Sequence, residues 1–188
     1  MNMLLLEHIA RYQFSLPYAA KGTILDIACG SGFGTHFIAK RAKHRIEQII
    51  GIDIDLPSIQ YAKGKYYHPK ANYQQHDAVD PLLPQKLGQF DLILSFETIE
   101  HIKNEKQFMQ NIYEMLKPGG QLILSTPFGK GRGIPCGSPY HVHQMTKKEF
   151  CSLFDQYVHK EFYYQNGVLI EPERNNAYYP IGLAVAVK

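Results

Sequence analysis

The chain has 188 residues, of which 45% are hydrophobic and 20% charged, and its formal net charge is +3. This length and balance predict one globular domain, residues 1–188, with a sizeable core. The small net charge gives no strong signal for a nucleic-acid partner. The cysteines Cys29, Cys136 and Cys151 show no metal-ligand spacing and are odd in number, which favours a reducing, cytoplasmic setting over a disulfide-stabilised one.

Neither end of the chain predicts membrane insertion or secretion. The start, MNMLLLEHIARY, has no basic leader, and its short apolar patch is interrupted by Glu7 and His8. The apolar run IGLAVAV near the other end is far too short to cross a bilayer. We therefore expect no membrane partner, and we interpret the late run as a buried strand.

Apolar runs typical of strands alternate with helix-like segments along the chain. The predicted strands are TILDIA (23–28), QIIGID (48–53), NYQQHD (72–77), FDLILSF (90–96), GQLILST (120–126), VHKEFYYQ (158–165) and IGLAVAVK (181–188). The predicted helices are 3–16, 33–43, 57–66, 104–116 and 146–156. This order predicts an α/β fold with a doubly wound, mostly parallel, seven-stranded sheet, in which the last two strands form an antiparallel edge pair.

Two helix starts carry capping signals. Asn104 is a predicted N-cap, and Thr146 with Glu149 has the spacing of a capping box. The region before the second of these is the least regular part of the sequence, a glycine-rich loop at 127–145. We expect this loop and the N-terminal helical region, residues 1–20, to select the substrate.

The stretch ILDIACGSGFGT (24–35) predicts a nucleotide-binding turn after the first strand. Its spacing is G-x-G-x-G, whereas a dinucleotide site reads G-x-G-x-x-G. Asp26 just upstream would repel a pyrophosphate but could hold a cationic group. Asp53 and Asp77, after the second and third strands, could accept hydrogen bonds from a ribose diol and an exocyclic amine. S-adenosylmethionine, a nucleoside with an amino acid and a positive sulfur, fits this chemistry.

The segments ILDIACGSG, IIGIDID, HDAVD, FDLILSFETIEH and LKPGGQLILSTP resemble, in order and spacing, the class I S-adenosylmethionine-dependent methyltransferases. The resemblance covers about residues 20–165 and implies a Rossmann-like methyltransferase fold. The cofactor-binding residues that it implies are Arg11, Asp26, Ala28, Gly30, Gly32, Asp53, Ile54, Asp77, Ala78, Ser95 and Phe96.

Each of these residues has an implied role. Gly30 and Gly32 would lie under the methionine part of the cofactor, with Asp26 near its amino group. The ribose would contact the second-strand end and the adenine the third-strand end, while the backbone after the fourth strand lines the methionine. Arg11 resembles an arginine that binds the cofactor carboxylate in ubiquinone-pathway O-methyltransferases. Its alternative interpretation is a solvated arginine on an amphipathic helix.

The segment FETIEHI is the candidate for chemistry. A hydroxyl nucleophile must lose its proton to a general base or to a metal-assisted step. Glu97, Glu100 and His101 have E-x-x-E-H spacing, and PYHVHQMT adds His141. These four residues could bind Mg, Mn or Zn, an arrangement similar to the metal site of small-RNA 2′-O-methyltransferases. Alternatively, His101, His141 and Glu100 act as base or substrate contacts, or the pair only packs the helix.

The predicted function is methyl transfer from S-adenosylmethionine to a hydroxyl of a small molecule or of a sugar or glycan precursor. The segments ARY, ETIEHI, PYHVH and YYQN also resemble bacterial methyltransferases associated with glycan or surface-polysaccharide assembly. The alternatives are an N- or C-methyltransferase, a catalytically silent cofactor-binding module, and an NAD-dependent oxidoreductase, which Asp26 and the glycine spacing disfavour. The loop cations Lys130 and Arg132 belong either to a lid over an anionic acceptor or to a solvated loop. We expect a monomer or homodimer.

Overall fold

The computed structural model describes residues 2–188. The helices are α1 (Met3–Ser15), α2 (Phe33–Arg41), α3 (Leu56–Lys65), α4 (Leu83–Leu87), α5 (Glu105–Met115) and α6 (Lys147–Ser152). The strands are β1 (Thr23–Ile27), β2 (Gln48–Asp53), β3 (Ala71–Gln75), β4 (Phe90–Phe96), β5 (Leu116–Pro127), β6 (His159–Asn166), β7 (Leu169–Glu171) and β8 (Ile181–Val187). A 3-10 turn, Ile99–His101, follows β4.

All eight strands form one sheet in the order β3-β2-β1-β4-β5-β8-β6-β7. The first five in this order are parallel, and β8 pairs antiparallel with both β5 and β6. The predicted α/β doubly wound fold is confirmed, with eight strands in place of seven. The additional strand is β7, three residues long, which folds back on β6 through a turn at Gly167, where φ is 57°. A strand of three residues is too short to show a periodic pattern in the sequence.

The sheet is covered on both faces, as its apolar strands require. On one face, Leu25 and Ile27 of β1 pack in a cluster with α5 and α6. On the other, Ile24 packs in a cluster with Tyr12 of α1 and Ile38 of α2. Within residues 2–188, no helix is both long and apolar enough to span a bilayer.

Both predicted helix starts are confirmed. The Asn104 side chain accepts from the amide of Gln107, and Thr146 and Glu149 form a complete capping box. Helix α6 is shorter than the predicted 146–156, because hydrogen bonds between residues three apart tighten the chain after Ser152. Short α4, at Leu83–Leu87, was not predicted.

Candidate cofactor and acceptor site

The turn between β1 and α2 carries three left-handed residues. The φ angles of Ala28, Gly30 and Gly32 are 57°, 53° and 83°. Glycine adopts this region readily, but Ala28 has a Cβ and is strained by it. Strain of this kind concentrates at functional sites, and this turn lies at the carboxyl edge of the sheet, where α/β folds bind ligands.

The glycines of this turn have different roles. A Cβ on Gly30 would meet no atom of residues 2–188 within 4 Å, so this glycine faces open space. A Cβ on Gly32 would lie 2.5 Å from the Ala62 Cβ, and one on Gly34 would lie 1.8 Å from the Tyr12 ring. Gly30 therefore keeps room for a ligand against the backbone, whereas Gly32 and Gly34 allow helices to pack closely.

Asp53, the last residue of β2, ties two parts of the site together. One of its carboxylate oxygens accepts from the Gly30 amide at 2.8 Å, and the other accepts from the Asp55 amide at 2.9 Å. These bonds hold the carboxylate beside the glycine turn. The position agrees with the role that the resemblance implies, in which this carboxylate accepts from a ribose diol.

A small, largely apolar cavity of about 90 Å³ opens next to Asp53. Its lining residues are Ala28, Ile52, Asp53, Ile54, His76, Asp77, Ala78, Thr98 and Ile102. Five of these nine were predicted cofactor residues, so the fold brings together the ends of three strands as the motif spacing requires. Thr98 and Ile102 were missed, because they reach the cavity from the turn after β4 and carry no nucleotide-binding signal of their own.

Asp26 is 1% exposed and lies beneath the glycine turn. Its carboxylate accepts from the Tyr12 hydroxyl at 3.1 Å and from the Thr35 hydroxyl at 2.6 Å. Burial raises the pKa of Asp26 to about 7, although the two hydroxyl donors act in the opposite direction. The contact of Asp26 with a cofactor amino group stays a prediction, and the structure adds Tyr12 and Thr35 as its supports.

Arg11 is 4% exposed, so it is not a solvated helix residue. Its guanidinium donates to the Gln165 amide oxygen at 2.8 Å and lies 3.1 Å from Nδ1 of His8. Burial, followed by the charge of Arg11, lowers the pKa of His8 to about 4. Arg11 lines a cleft of about 650 Å³ together with Glu97, Pro127 and residues of the N-terminal turn of α1. The cleft is open at the same edge of the sheet as the glycine turn.

The end of β4 lies between the glycine turn and the cleft at Arg11. The Ser95 hydroxyl is buried and has no hydrogen-bond partner among residues 2–188, and the Phe96 ring packs edge-on against Tyr12 with centroids 5.0 Å apart. An unpaired buried hydroxyl at a strand end is unusual and suits a position that a ligand completes. This hydroxyl and the open space at Gly30 are compatible with bound S-adenosylmethionine.

The E-x-x-E-H spacing predicted that Glu97 and Glu100 share one side of a helical turn. The structure does not form that turn at Glu97. The φ of Glu97 is 51°, so the backbone turns before the 3-10 segment starts. Glu97 accepts from the Ser125 hydroxyl at 2.9 Å, whereas Glu100 accepts from the Thr126 hydroxyl at 3.1 Å. The two carboxylates therefore bind the hydroxyls of successive β5 residues, and they remain close enough for the charge of Glu97 to act on Glu100.

Three of the four predicted metal or catalytic residues do come together. Ligand atoms of Glu100, His101 and His141 all lie within 4.8 Å of one another, and this group does not include Glu97. The closest ionic contact joins Glu100 Oε1 and His101 Nε2 at 3.9 Å. Burial, with the charge of Glu97 as the next cause, raises the pKa of Glu100 to about 8. Burial and the neighbouring His101 lower the pKa of His141.

The loop 127–145 is fastened over this cluster. His101 Nδ1 donates to the Tyr140 carbonyl at 2.8 Å, and the Val142 amide donates to the Glu100 carbonyl at 2.8 Å. Arg132 donates twice to the Glu105 carboxylate, at 3.0 and 2.7 Å. Arg132 is therefore engaged within the protein, whereas the sequence left it as a candidate contact for an anionic acceptor.

The comparisons with known proteins agree with this geometry. The family model described as "Methyltransferase domain" matches residues 25–124. A probable S-adenosylmethionine-dependent methyltransferase of Mycolicibacterium smegmatis is 28% identical over 153 residues, which are 79% of this chain and 56% of the relative. A ubiquinone biosynthesis O-methyltransferase of Psychrobacter cryohalolentis is 29% identical over 108 residues, 55% of this chain and 40% of the relative. The chain thus spans about half the length of the relatives that it matches.

The fold comparison covers the whole chain. A structure described as a SAM-dependent methyltransferase from Archaeoglobus fulgidus superposes with a TM-score of 0.72 at 17% identity, over 100% of this chain and 95% of the other. At this identity the likeness establishes the fold. Since the family model covers more than half of the sequence, the chain belongs to the methyltransferase-domain family.

Proposed function

We propose that this chain binds S-adenosylmethionine and transfers its methyl group to a hydroxyl of a small molecule or of a sugar or glycan precursor. Membership of the methyltransferase-domain family supports the reaction class. Relatives named as ubiquinone biosynthesis O-methyltransferases support oxygen as the acceptor atom. The glycan alternative rests on the sequence resemblance alone.

The residues proposed to bind the cofactor would hold its methyl group in a fixed position for transfer. Bound S-adenosylmethionine provides a methyl group that its sulfonium already activates. Most of the catalysis can then come from holding the acceptor in line with that methyl group. Asp53 would hold the ribose, Asp77 and Ala78 would contact the adenine edge, and Arg11 would pair with the carboxylate.

The observation that carries the choice of a hydroxyl is the Glu100–His101–His141 cluster. An alcohol loses its proton reluctantly at neutral pH, so it needs a group that accepts the proton as the methyl arrives. In neutral His101, the bond from Nδ1 to the Tyr140 carbonyl leaves Nε2 free to accept a proton. His101 is the proposed general base, with Glu100 and His141 as its neighbours.

A divalent cation on the same three side chains is the second form of this proposal. Two imidazoles and a carboxylate suit Zn²⁺ or Mn²⁺, and a positive charge there would offset the burial that raises the pKa of Glu100. The cation would lower the pKa of an acceptor hydroxyl, and the His101 ring would be oriented by Tyr140 as metal-bound histidines are by their second hydrogen bond.

Methyl transfer and ion binding in four variants, two of them controls, test the proposal. We expect His101→Gln to bind S-adenosylmethionine as the unmodified protein does and to lose at least about 100-fold in methyl transfer. His159→Gln, an exposed histidine on β6, is the matched control. For the metal form, isothermal titration should show that a divalent ion binds the unmodified protein and Glu97→Ala but not Glu100→Ala.

The acceptor itself can be found by a thermal-shift screen with cofactor and candidate alcohols, because a bound ligand raises the melting temperature.

Equal ion binding by Glu100→Ala and the unmodified protein would contradict the proposed metal site. Full methyl transfer by His101→Gln would remove the general base. Cofactor binding without turnover on any hydroxyl acceptor would favour a silent cofactor-binding module.

A further inference from the structure

The positive charge of this protein is concentrated in one part of the chain. Residues 33–70 hold seven of the 20 lysines and arginines but only three of the 17 acidic residues. The seven are Lys40, Arg41, Lys43, Arg45, Lys63, Lys65 and Lys70. Outside this segment the acidic residues slightly outnumber the basic ones. The small net charge therefore conceals a local excess of cations.

The fold gathers these seven residues at the edge of the sheet opposite the cofactor site. Helices α2 and α3 begin at the carboxyl edge and run back, so that their last turns lie beside the starts of β2 and β3. Lys70 links the chain before β3 with the chain before β2, since its ammonium donates to the Ile46 carbonyl at 2.6 Å. The pKa of His68 is lowered first by burial and then by the charges of His36, Lys43 and Lys70, which shows how close these groups are.

These cations are not neutralised within the protein. In the described part of the chain, residues 2–188, none of the seven forms an ion pair with a carboxylate. Asp53 and Asp55, two of the three acidic residues in the segment, lie at the far edge beside the glycine turn. A group of unpaired cations attracts a partner with closely spaced negative charges.

Aromatic rings lie among the cations. A surface cavity of about 440 Å³ is lined by Phe33, His36, Phe37, Lys40, Arg41 and Lys43. The Arg41 guanidinium lies over the Phe37 ring, 5.6 Å from its centre. On α3 and the loop that follows, Tyr61 and Tyr67 are 53% and 81% exposed. Exposed rings among cations are the features that hold bases and phosphates of a single strand.

We propose that the surface formed by the last turns of α2 and α3, with Tyr61, Tyr67 and the cavity at Phe33 and Phe37, binds single-stranded nucleic acid. The lysines and arginines contact the phosphates, and the aromatic rings stack on unpaired bases. The cations of this surface lie at the edge of the sheet opposite the glycine turn, and only Phe33, at the start of α2, lies near that turn. The proposal uses none of the residues assigned to methyl transfer and does not depend on that function.

An anionic membrane is the competing partner, and the exposed side chains argue against it. The large hydrophobic side chains exposed on this surface are the two tyrosines; the exposed Ile54 and Leu56 belong to the cofactor edge. A helix that inserts into a bilayer surface presents leucine, phenylalanine or tryptophan along one face. On helix α2, Ile38 packs into the core, and the two phenylalanines of the outer face, Phe33 and Phe37, are only partly exposed.

Fluorescence anisotropy with labelled oligo-uridine and oligo-thymidine of about 12 nucleotides tests the proposal. The binding constant should fall steeply between about 50 and 200 mM salt. The triple variant Lys40→Gln, Arg41→Gln, Lys43→Gln should lower the salt slope by about two, since each phosphate contact on a single strand contributes about 0.7. The control triple variant changes exposed lysines elsewhere, Lys103→Gln, Lys106→Gln and Lys148→Gln, and should keep the slope.

The aromatic contribution has its own variant. Tyr61→Ala with Tyr67→Ala should weaken single-strand binding at least about 30-fold while leaving the salt slope unchanged. S-adenosylmethionine binding by each variant, which the distant site should retain, verifies folding. Equal oligonucleotide affinity of the test triple variant and the control triple variant would overturn the proposal. So would binding to phosphatidylglycerol vesicles without binding to oligonucleotides, or binding to a duplex that is as tight as to the single strand in spite of the tyrosines.

Discussion

The two halves of the carboxyl edge of the sheet are built in different ways. Around β1, β2 and β3, short turns hold the site through backbone amides, as where Asp53 accepts from Gly30 and Asp55. Around β4 and β5, side chains hold it across long stretches of sequence, as where His101 donates to the carbonyl of Tyr140. The half around β1, β2 and β3, which we call the cofactor half, is therefore determined by local sequence motifs. The half around β4 and β5, the acceptor half, depends on how the loop 127–145 packs on the turn after β4.

The largest expected effect is on cofactor binding in the first half. Asp53→Ala removes the carboxylate that we propose accepts from the ribose, and it should weaken S-adenosylmethionine binding by about 100-fold, or about 3 kcal/mol. Asp55→Ala is the matched control. It removes the N-cap that accepts from the Ser58 amide and should cost about 1 kcal/mol of stability with unchanged affinity. Isothermal titration and urea unfolding measure both quantities, and similar affinities for the two variants would break the comparison.

The glycines of the turn should separate ligand binding from packing. Gly34→Ala places a methyl group against the buried Tyr12 ring and should lower the free energy of unfolding by about 2–3 kcal/mol. Gly30→Ala meets no protein atom in residues 2–188 and should lower it by only about 1 kcal/mol, because of its positive φ. Gly30→Ala should nevertheless weaken cofactor binding at least about tenfold, since its methyl group enters the ligand's space. A reversed order of stability would contradict these assignments.

The stability of the cofactor-free protein should depend on Asp26. Burial raises the pKa of Asp26 from 3.8 to about 7, so the folded state holds this proton more tightly than the unfolded state does. Its contribution is then complete below about pH 4 and is lost as the pH rises through about 7, on the order of 4 kcal/mol in total. Urea unfolding between these pH values should show the decline, and Asp26→Asn should flatten it. An unchanged profile in the variant would mean that other groups cause the decline.

The smallest effect concerns the acceptor half. Thr146→Ala breaks the capping box at the end of the loop and should cost about 1 kcal/mol. Faster amide exchange at Glu149 and Phe150 should report the loss, while cofactor affinity stays unchanged. Altered cofactor affinity in this variant would show that the two halves are coupled more tightly than their contacts indicate.

The sequence predicts which residues gather at the cofactor half of the carboxyl edge, because they follow strands at fixed spacing, and their contacts with the cofactor stay predictions. Ala28, Asp53, Ile54, Asp77 and Ala78 line one cavity, as the resemblance implied. Tyr12 and Thr35 were not predicted as supports of Asp26, and the Tyr12 hydroxyl, on the preceding helix α1, carries no local signal. Thr35 was visible inside the glycine motif itself, and its position on the first turn of α2 could have suggested it.

The acceptor half was predicted only in part. The sequence names Glu100, His101 and His141, but a helical spacing rule could not foresee the positive φ that turns Glu97 toward Ser125. The contacts of Arg132 with Glu105 join residues 27 apart in sequence, and no periodic pattern encodes such a pair. Strand β7 is missed for the related reason that its three residues are ordered by pairing with β6.

A crystal structure of the protein with S-adenosylhomocysteine, the product form of the cofactor, tests the central claim most directly. We expect the adenine in the cavity between Ile54, Ala78 and Ile102, with both ribose hydroxyls within hydrogen-bond distance of the Asp53 carboxylate. The sulfur should point toward Ser95 and the side of the Glu100–His101–His141 cluster. A ligand bound elsewhere, or none bound at saturating concentration, would contradict it.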